Sequence, residues 1–288
     1  MTTKVRFGTW RHRASIVVGG LCLLLAGCGS GNTSLEGLNA TLWTQQSAEY
    51  RASAEQAYRT ASRMLDQALA DPAWSAVPEQ EGNPGHFPPA VILDVDETVL
   101  DNSTYQARLI VEGREYPDGW DAWVREATAL PVPGALGFAR HAEERGVTVF
   151  YVTNRDAPLE EATERNLERA GFPLTADLDV ILMRGERESW GSDKSSRRAY
   201  VAGTHRVLIL AGDDLNDFIS VSRASIGERD RLEAEYASHW GVRWIMLPNP
   251  AYGSWERALY GFDYELSPEQ KRERKRENLK TGKEGPQQ

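Results

Sequence analysis

Only two cysteines, Cys22 and Cys28, occur in 288 residues, too few for a disulfide framework. No CxxC pair is present, and His86, His141, His205 and His239 form no HExxH pair, so a zinc site has no support. A GxGxxG fingerprint, a P-loop and a GxSxG elbow are also absent, which removes the usual signals of dinucleotide, ATP-driven and serine-hydrolase chemistry. Positive charge is scarce as well: 33 Lys and Arg face 42 Asp and Glu, a formal charge of −9. An acidic chain without a basic domain makes a nucleic-acid polymer a poor partner. What is present is ordinary for a globular protein, with 41% hydrophobic residues and 14 prolines. The length suits one substantial core, or one core with a smaller module attached.

The first segment reads as a targeting signal. Lys4, Arg6, Arg11 and Arg13 precede the apolar run 14–26, which is short for a membrane span. Leu25-Ala26-Gly27-Cys28 resembles a bacterial lipobox, with cleavage after residue 27 and acylation of Cys28; several lipid chains would then hold the protein on a membrane. The plainer reading is a signal peptide with a cysteine there by chance. Removing residues 1–27 takes away four basic side chains and no acidic ones, lowering the charge from −9 to −13. Gly29 and Ser30 follow in place of the aspartate that retains many lipoproteins at an inner membrane. That points to an outer membrane, facing periplasm or exterior, where the organism has one.

Residues 28–38 read as a tether. An N-terminal helical segment is expected over 39–75, with apolar and small residues at three- and four-residue steps from Leu42 to Leu69 and a stop at Asp71-Pro72. From Ala90 the rhythm changes. Short β-branched runs at 91–93, 147–152, 179–183, 207–211 and 242–247 alternate with candidate helices at 134–145, 158–170 and 195–202. This predicts an α/β fold, a three-layer α/β/α parallel sheet over 90–265. The stretch 101–132 breaks the alternation and is expected to be a smaller, mostly helical cap or insert over the sheet edge. The polar segment 267–288 is expected to start as a helix and to be solvated, with contact to anionic lipid as the other reading.

Chemistry follows the apolar runs. Asp94 and Asp96 lie two apart at the end of one run and, if the backbone stays extended, point to the same side. Asp213, Asp214 and Asp217 follow another run. Ligands of open α/β sheets gather at the carboxyl ends of strands. Carboxylates brought together there need a cation, a shared proton or helix-end amides. If the two strands are neighbours, a hard divalent ion fits, magnesium best. Helix capping or simple solvation is the bland alternative for either cluster alone.

DVDETVLDN, VTNR, the isolated lysine of GSDKSSR, and GDDLNDF resemble, in order, the four motifs of the haloacid dehalogenase-like phosphatases. With the lipobox and the NPxYGxWE segment at 249–256, the likeness narrows to the bacterial outer-membrane acid phosphatases and 5′-nucleotidases of the lipoprotein e (P4) family and covers roughly 40–265. The resemblance implies that Asp94 is the nucleophile and Asp96 the general acid and base. It implies that Thr153 holds a phosphoryl oxygen and that Lys194 neutralises charge. Magnesium would be held by Asp94, the Asp96 carbonyl and Asp213, with Asp217 near the ion, orienting Lys194 or a metal-bound water. Asp214 stands where the family often has an amide, and it adds negative charge. Asn102, Asn154 and Arg155 are family-like and are candidates for substrate contact or for ordering their loops.

Tyr105, Trp120, Trp123, Tyr252 and Trp255 could stack a nucleoside base or an aromatic alcohol; core packing is the competing role for each. The resemblance implies a magnesium-dependent phosphomonoesterase acting on nucleoside monophosphates and aryl phosphates through an aspartyl-phosphate, and it admits a homodimer. The alternatives are another haloacid dehalogenase-like phosphotransferase, or a binding lipoprotein on the same scaffold that has lost its chemistry.

Overall fold

The computed structural model describes residues 1–2 and 36–282. The signal segment, Cys28, most of the tether and the last six residues lie outside the described residues.

Two helices come first, α1 (Leu38–Gln46) and α2 (Ala48–Ala70). A single helix was expected across this stretch. Ser47 interrupts it with extended backbone, and its hydroxyl accepts from the Tyr50 amide at 3.0 Å, so the chain turns and restarts with a proper cap. Tyr50, Ala54, Tyr58, Ala61, Leu65 and Ala68 form the buried stripe of α2.

The sheet then begins. In chain order the elements are β1 (Pro89–Leu93), β2 (Leu100–Asp101), α3 (Ser103–Glu112), α4 (Trp120–Glu126), β3 (Leu130–Pro131), α5 (Ala135–Glu144) and β4 (Thr148–Asp156). They continue with α6 (Glu160–Ala170), β5 (Ile181–Arg184), α7 (Ser195–Ala202), β6 (Arg206–Gly212), α8 (Ile226–Glu235), β7 (Trp244–Met246), α9 (Ser254–Ala258) and α10 (Pro268–Glu277). Five strands pair in parallel in the order β5-β4-β1-β6-β7. Their apolar runs are buried on both faces, as a parallel sheet between helical layers requires. Right-handed crossovers put α5 and α6 on one face and α7, whose connection returns across the sheet, on the other. α2 packs on α5 and over β6 and β7, extending the first layer. The approach is close at Gly134: its φ is +89°, and a Cβ there would lie 3.0 Å from the Tyr58 side chain.

The chain leaves β1 toward β4 and leaves β6 toward β7. The crevice between β1 and β6 is therefore the topological switch point, where such sheets bind ligands. The ladder continues one residue past β1, with the Asp94 amide donating to the Ala211 carbonyl at 2.9 Å. That bond seats Asp94 beside the end of β6.

The insert carries α3 and α4. It springs from the end of the central strand β1, is closed by the antiparallel β2–β3 pair, and packs α4 against α6 and α3 against α1. One expectation is corrected: the start of the polar tail is not merely solvated. Lys275 of α10 pairs with Glu36 at 2.7 Å and Glu256 at 2.5 Å, and the Asn278 carboxamide donates to the Leu259 carbonyl at 3.2 Å.

Candidate active site

Asp94, Asp213 and Asp217 converge at the switch point, each with one carboxylate oxygen within 4.8 Å of the others. Lys194 reaches them from the N-terminal end of α7. Its buried ammonium donates a short hydrogen bond to Asp94 Oδ1 and one of 2.6 Å to Asp217 Oδ1. The other oxygen of Asp217 accepts from the Asp214 amide at 2.9 Å, so Asp217 is fixed from two sides and aims the lysine. This closeness depends on Gly212: a Cβ there would lie 2.2 Å from Asp217 Oδ2.

Burial raises the Asp94 carboxyl to about 7 in the metal-free protein, against the pull of Lys194 and with repulsion from Asp217 and Asp96. Burial, with Asp94 and Asp217 alongside, pushes Asp213 well above the carboxylate range. Burial works against the charge of Lys194, but Asp217 and Asp94 outweigh it and hold the ammonium above its ordinary value. One ammonium does not neutralise three carboxylates. The cluster therefore fits a divalent cation, and its all-oxygen donor set suits a hard one.

Asp96 points elsewhere. Its Oδ1 accepts from Arg155 Nη2 at 2.8 Å, Arg155 Nε at 3.0 Å and Asn102 Nδ2 at 2.8 Å, while Oδ2 has one long contact of 3.3 Å to Arg155 Nε. Its side chain is thus engaged by Arg155 and Asn102 and is not part of the carboxylate cluster. Thr153 is fully buried, and its oxygen accepts from the Arg155 amide at 3.1 Å, which leaves the hydroxyl proton available to another acceptor.

Several candidate residues have internal partners, the second of the two roles the sequence left open for them. Asn102 is wholly buried; it bridges Asp96 and Glu97 and accepts from Trp123 Nε1 at 2.8 Å. Arg155 is buried, holding Asp96 and donating to Thr163 at 3.2 Å. Asn154, in β4, donates to the Ser192 carbonyl at 3.0 Å and accepts from Arg197 of α7 at 2.6 Å. Tyr105 and Trp123 are core residues, the former donating to the Asp118 carbonyl at 3.1 Å. Trp120, Tyr252 and Trp255 keep accessible surface; Trp255 is 40% exposed, and Trp120 lies 5.6 Å from the Arg155 guanidinium. Asp214 does not crowd the site with bare charge. Burial raises it, but hydrogen bonds from Ser254 and Asn216 prevail and keep it below its ordinary value.

Four residues were not assigned roles from the sequence. Glu97 accepts from the Asn102 amide at 2.9 Å and from the Tyr252 hydroxyl. Burial first, then Asp96, pushes its carboxyl up, against the hydrogen bonds from Asn102. Arg197 ties the end of β4, at Thr153 and Asn154, to the loop at Gly191, and burial lowers it to about 10. Its spacing of three from Lys194 was the available signal. Asn249 donates to Asp213 Oδ2 at 2.7 Å, and Tyr58 of α2 donates to the Thr98 carbonyl at 2.6 Å. Glu97 and Asn249 stood inside quoted motifs; Tyr58 lies 40 residues from its partner and had no local signal.

Comparison with known proteins agrees with this geometry. The family described as HAD superfamily, subfamily IIIB (acid phosphatase), matches residues 35–255. The class C acid phosphatase of Bacillus anthracis is similar in structure, at 35% identity and TM-score 0.77, covering 87% of this chain and 99% of that one. The same enzyme with tungstate bound is similar at 35% identity and TM-score 0.76, covering 86% and 98%. The chain belongs to the HAD subfamily IIIB acid phosphatases and is a phosphatase acting on phosphate monoesters. Phosphatases of this superfamily use a divalent metal.

Proposed function

We propose that this acid phosphatase is magnesium-dependent, hydrolyses nucleoside monophosphates and aryl phosphates, and works through a phosphoryl group held on Asp94. The observation that carries the reading is the division of labour between two aspartates. Asp94 sits in the carboxylate cluster with Lys194, whereas Asp96 is turned from it and held by Arg155 and Asn102. In the first step Asp94 attacks phosphorus in line, and the ester oxygen departs with a proton from Asp96. Three donors converge on Asp96 Oδ1, so Oδ2 is the atom with a free lone pair to carry that proton. In the second step Asp96 takes a proton from water as the water attacks phosphorus, releasing phosphate and restoring Asp94. Thr153 donates to a phosphoryl oxygen, and Lys194, aimed by Asp217, offsets charge on the transferring group. A magnesium ion held by Asp94, Asp213 and the Asp96 carbonyl would supply the missing positive charge and orient the phosphoryl oxygens.

Trp120, Tyr252 and Trp255 are the partly accessible rings that support an aromatic or nucleoside leaving group. Tungstate on the related enzyme is an oxyanion, which is consistent with a phosphate-sized subsite in this one. Acylation of Cys28, a place on an outer membrane and a homodimer complete the reading. Mass analysis of the protein purified from its membrane would find acyl chains on Cys28; an unmodified terminus there would refute the anchor. The substrate claim is tested by phosphate release from p-nitrophenyl phosphate and a set of 5′-nucleotides, with magnesium and with EDTA. Turnover lost in EDTA and restored by magnesium is expected. Full turnover in EDTA would contradict the metal requirement.

A further inference from the structure

Asp96 is held by a side chain that is itself held. Asn102 Nδ2 donates to Asp96 Oδ1 at 2.8 Å and to Glu97 Oε2 at 3.2 Å, while Asn102 Oδ1 accepts from Trp123 Nε1 at 2.8 Å. That pattern permits one orientation of the carboxamide: flipped, its oxygen would face two carboxylates and its NH2 would face an indole N–H. Glu97 sets the pattern. Its Oε1 accepts from the Asn102 amide at 2.9 Å, so backbone and side chain of Asn102 are gripped by one carboxyl group, which also accepts from the Tyr252 hydroxyl. Glu97 is 6% exposed and has a φ of +58°, a left-handed conformation that is strained for a non-glycine residue. Its amide donates to the Leu100 carbonyl at 2.8 Å, which closes the turn that carries Asp96. Strain kept in a turn this close to the chemistry is a sign of a geometry that function requires.

We infer that Glu97 is a positioning residue for phosphoester cleavage: through Asn102 it orients the Asp96 carboxyl toward the leaving oxygen, and through Tyr252 it ties that orientation to the 249–255 segment. The inference rests on the reading of Asp96 as the proton donor. It makes no contact of Glu97 with substrate necessary. The second arm matters because Tyr252 belongs to the same short stretch as Asn249, bound to Asp213, and Ser254, bound to Asp214. One segment thereby touches both the carboxylate cluster and the support of the acid.

A placed general acid is needed most where the leaving group is a poor one. A nitrophenolate departs without a proton, whereas the alkoxide of a 5′-nucleotide requires one. Glu97→Ala, Glu97→Gln and Asp96→Asn are therefore compared on p-nitrophenyl phosphate and on a 5′-nucleotide by the single-turnover rate of leaving-group release, because steady-state kcat also contains the second step that both esters share; KM and thermal unfolding are recorded alongside. Glu97→Ala is expected to lower the single-turnover rate on the nucleotide ~10-fold or more beyond its effect on the nitrophenyl ester, part of the ~10²–10⁴ that a placed acid contributes. KM should stay unchanged for both. Glu97→Gln, which keeps one acceptor oxygen, should recover part of the nucleotide rate, and it carries the test should the alanine variant not fold. Equal losses on both esters, a change in KM alone, or no loss would overturn the inference. Asp96→Asn separates the two readings: if it too fails to discriminate between the esters, the assignment of Asp96 as acid falls. If it discriminates and the Glu97 variants do not, only the role of Glu97 falls.

Discussion

Asp94 and Asp213 both have carboxyls raised by burial, and for each the unfolded chain ionises at lower pH than the folded one. Between the ordinary carboxylate value and about 7, the metal-free native state therefore binds more protons than the unfolded state. Its stability falls as pH rises through that window. A cation relieves the same repulsion, so the rise in Tm on adding magnesium should be larger at neutral pH than near pH ~4, below which the carboxyls are protonated in both states. A magnesium-induced shift that does not grow with pH would contradict the carboxylate cluster as the metal site. Lys194 gives a second prediction at this scale. Lys194→Met removes the ammonium that Asp94 and Asp217 share and should cut kcat by ~10²-fold or more, as the loss of a placed charge-stabilising donor does. Steady-state rates on p-nitrophenyl phosphate check it. Single residues were also where the sequence was least complete. The motif aspartates and Lys194 were legible because each follows a recognisable strand or turn. Asn102, Arg155 and Trp123 stayed open between contact and internal roles, because polar and aromatic side chains next to a motif do not reveal whether they face inward.

Elements carry the site by bringing strand ends together, and the β1–β6 pairing does most of this. Gly212 is the test of that closeness. Gly212→Ala would drive a methyl group into Asp217, and overpacking of this kind costs on the order of 1–3 kcal/mol. Weakened magnesium binding and lower kcat should accompany the loss, measured by denaturant unfolding and metal titration. Helix α2 acts from the far side. Tyr58→Phe removes a buried donor to the Thr98 carbonyl and should cost about 1 kcal/mol, seen as a lower denaturation midpoint. The parallel strands were readable as β-branched runs, and α7 falls on its expected residues 195–202. The break at Ser47 was hidden because the hydrophobic spacing continues through it. Strand order, unlike strand identity, is not written in local pattern.

Across the whole molecule, acidic charge and basic tail meet in one arrangement. Lys275 of α10 is 24% exposed at its side chain and lies between Glu36 and Glu256, near the start of the described chain and next to the segment that carries Tyr252 and Trp255. Ion pairs this accessible contribute at most about 1 kcal/mol. Lys275→Ala should therefore leave Tm nearly unchanged while making the tail more susceptible to proteolysis. An unaltered cleavage pattern would show that the docking rests on other contacts. The tail looked solvated in sequence because it is strongly charged, and the acidic partners of Lys275, Glu36 and Glu256, lie elsewhere in the chain. The account as a whole turns on a phosphoryl group passing through Asp94 and being discharged with the help of Asp96. Its most direct test is Asp96→Asn mixed with p-nitrophenyl phosphate and magnesium, quenched in acid, and read by peptide mass. A burst of nitrophenol equal to the enzyme concentration, with one phosphoryl group on the peptide containing Asp94, is the predicted result. Folded, metal-binding enzyme with no burst and no phosphoryl group on that peptide would contradict it.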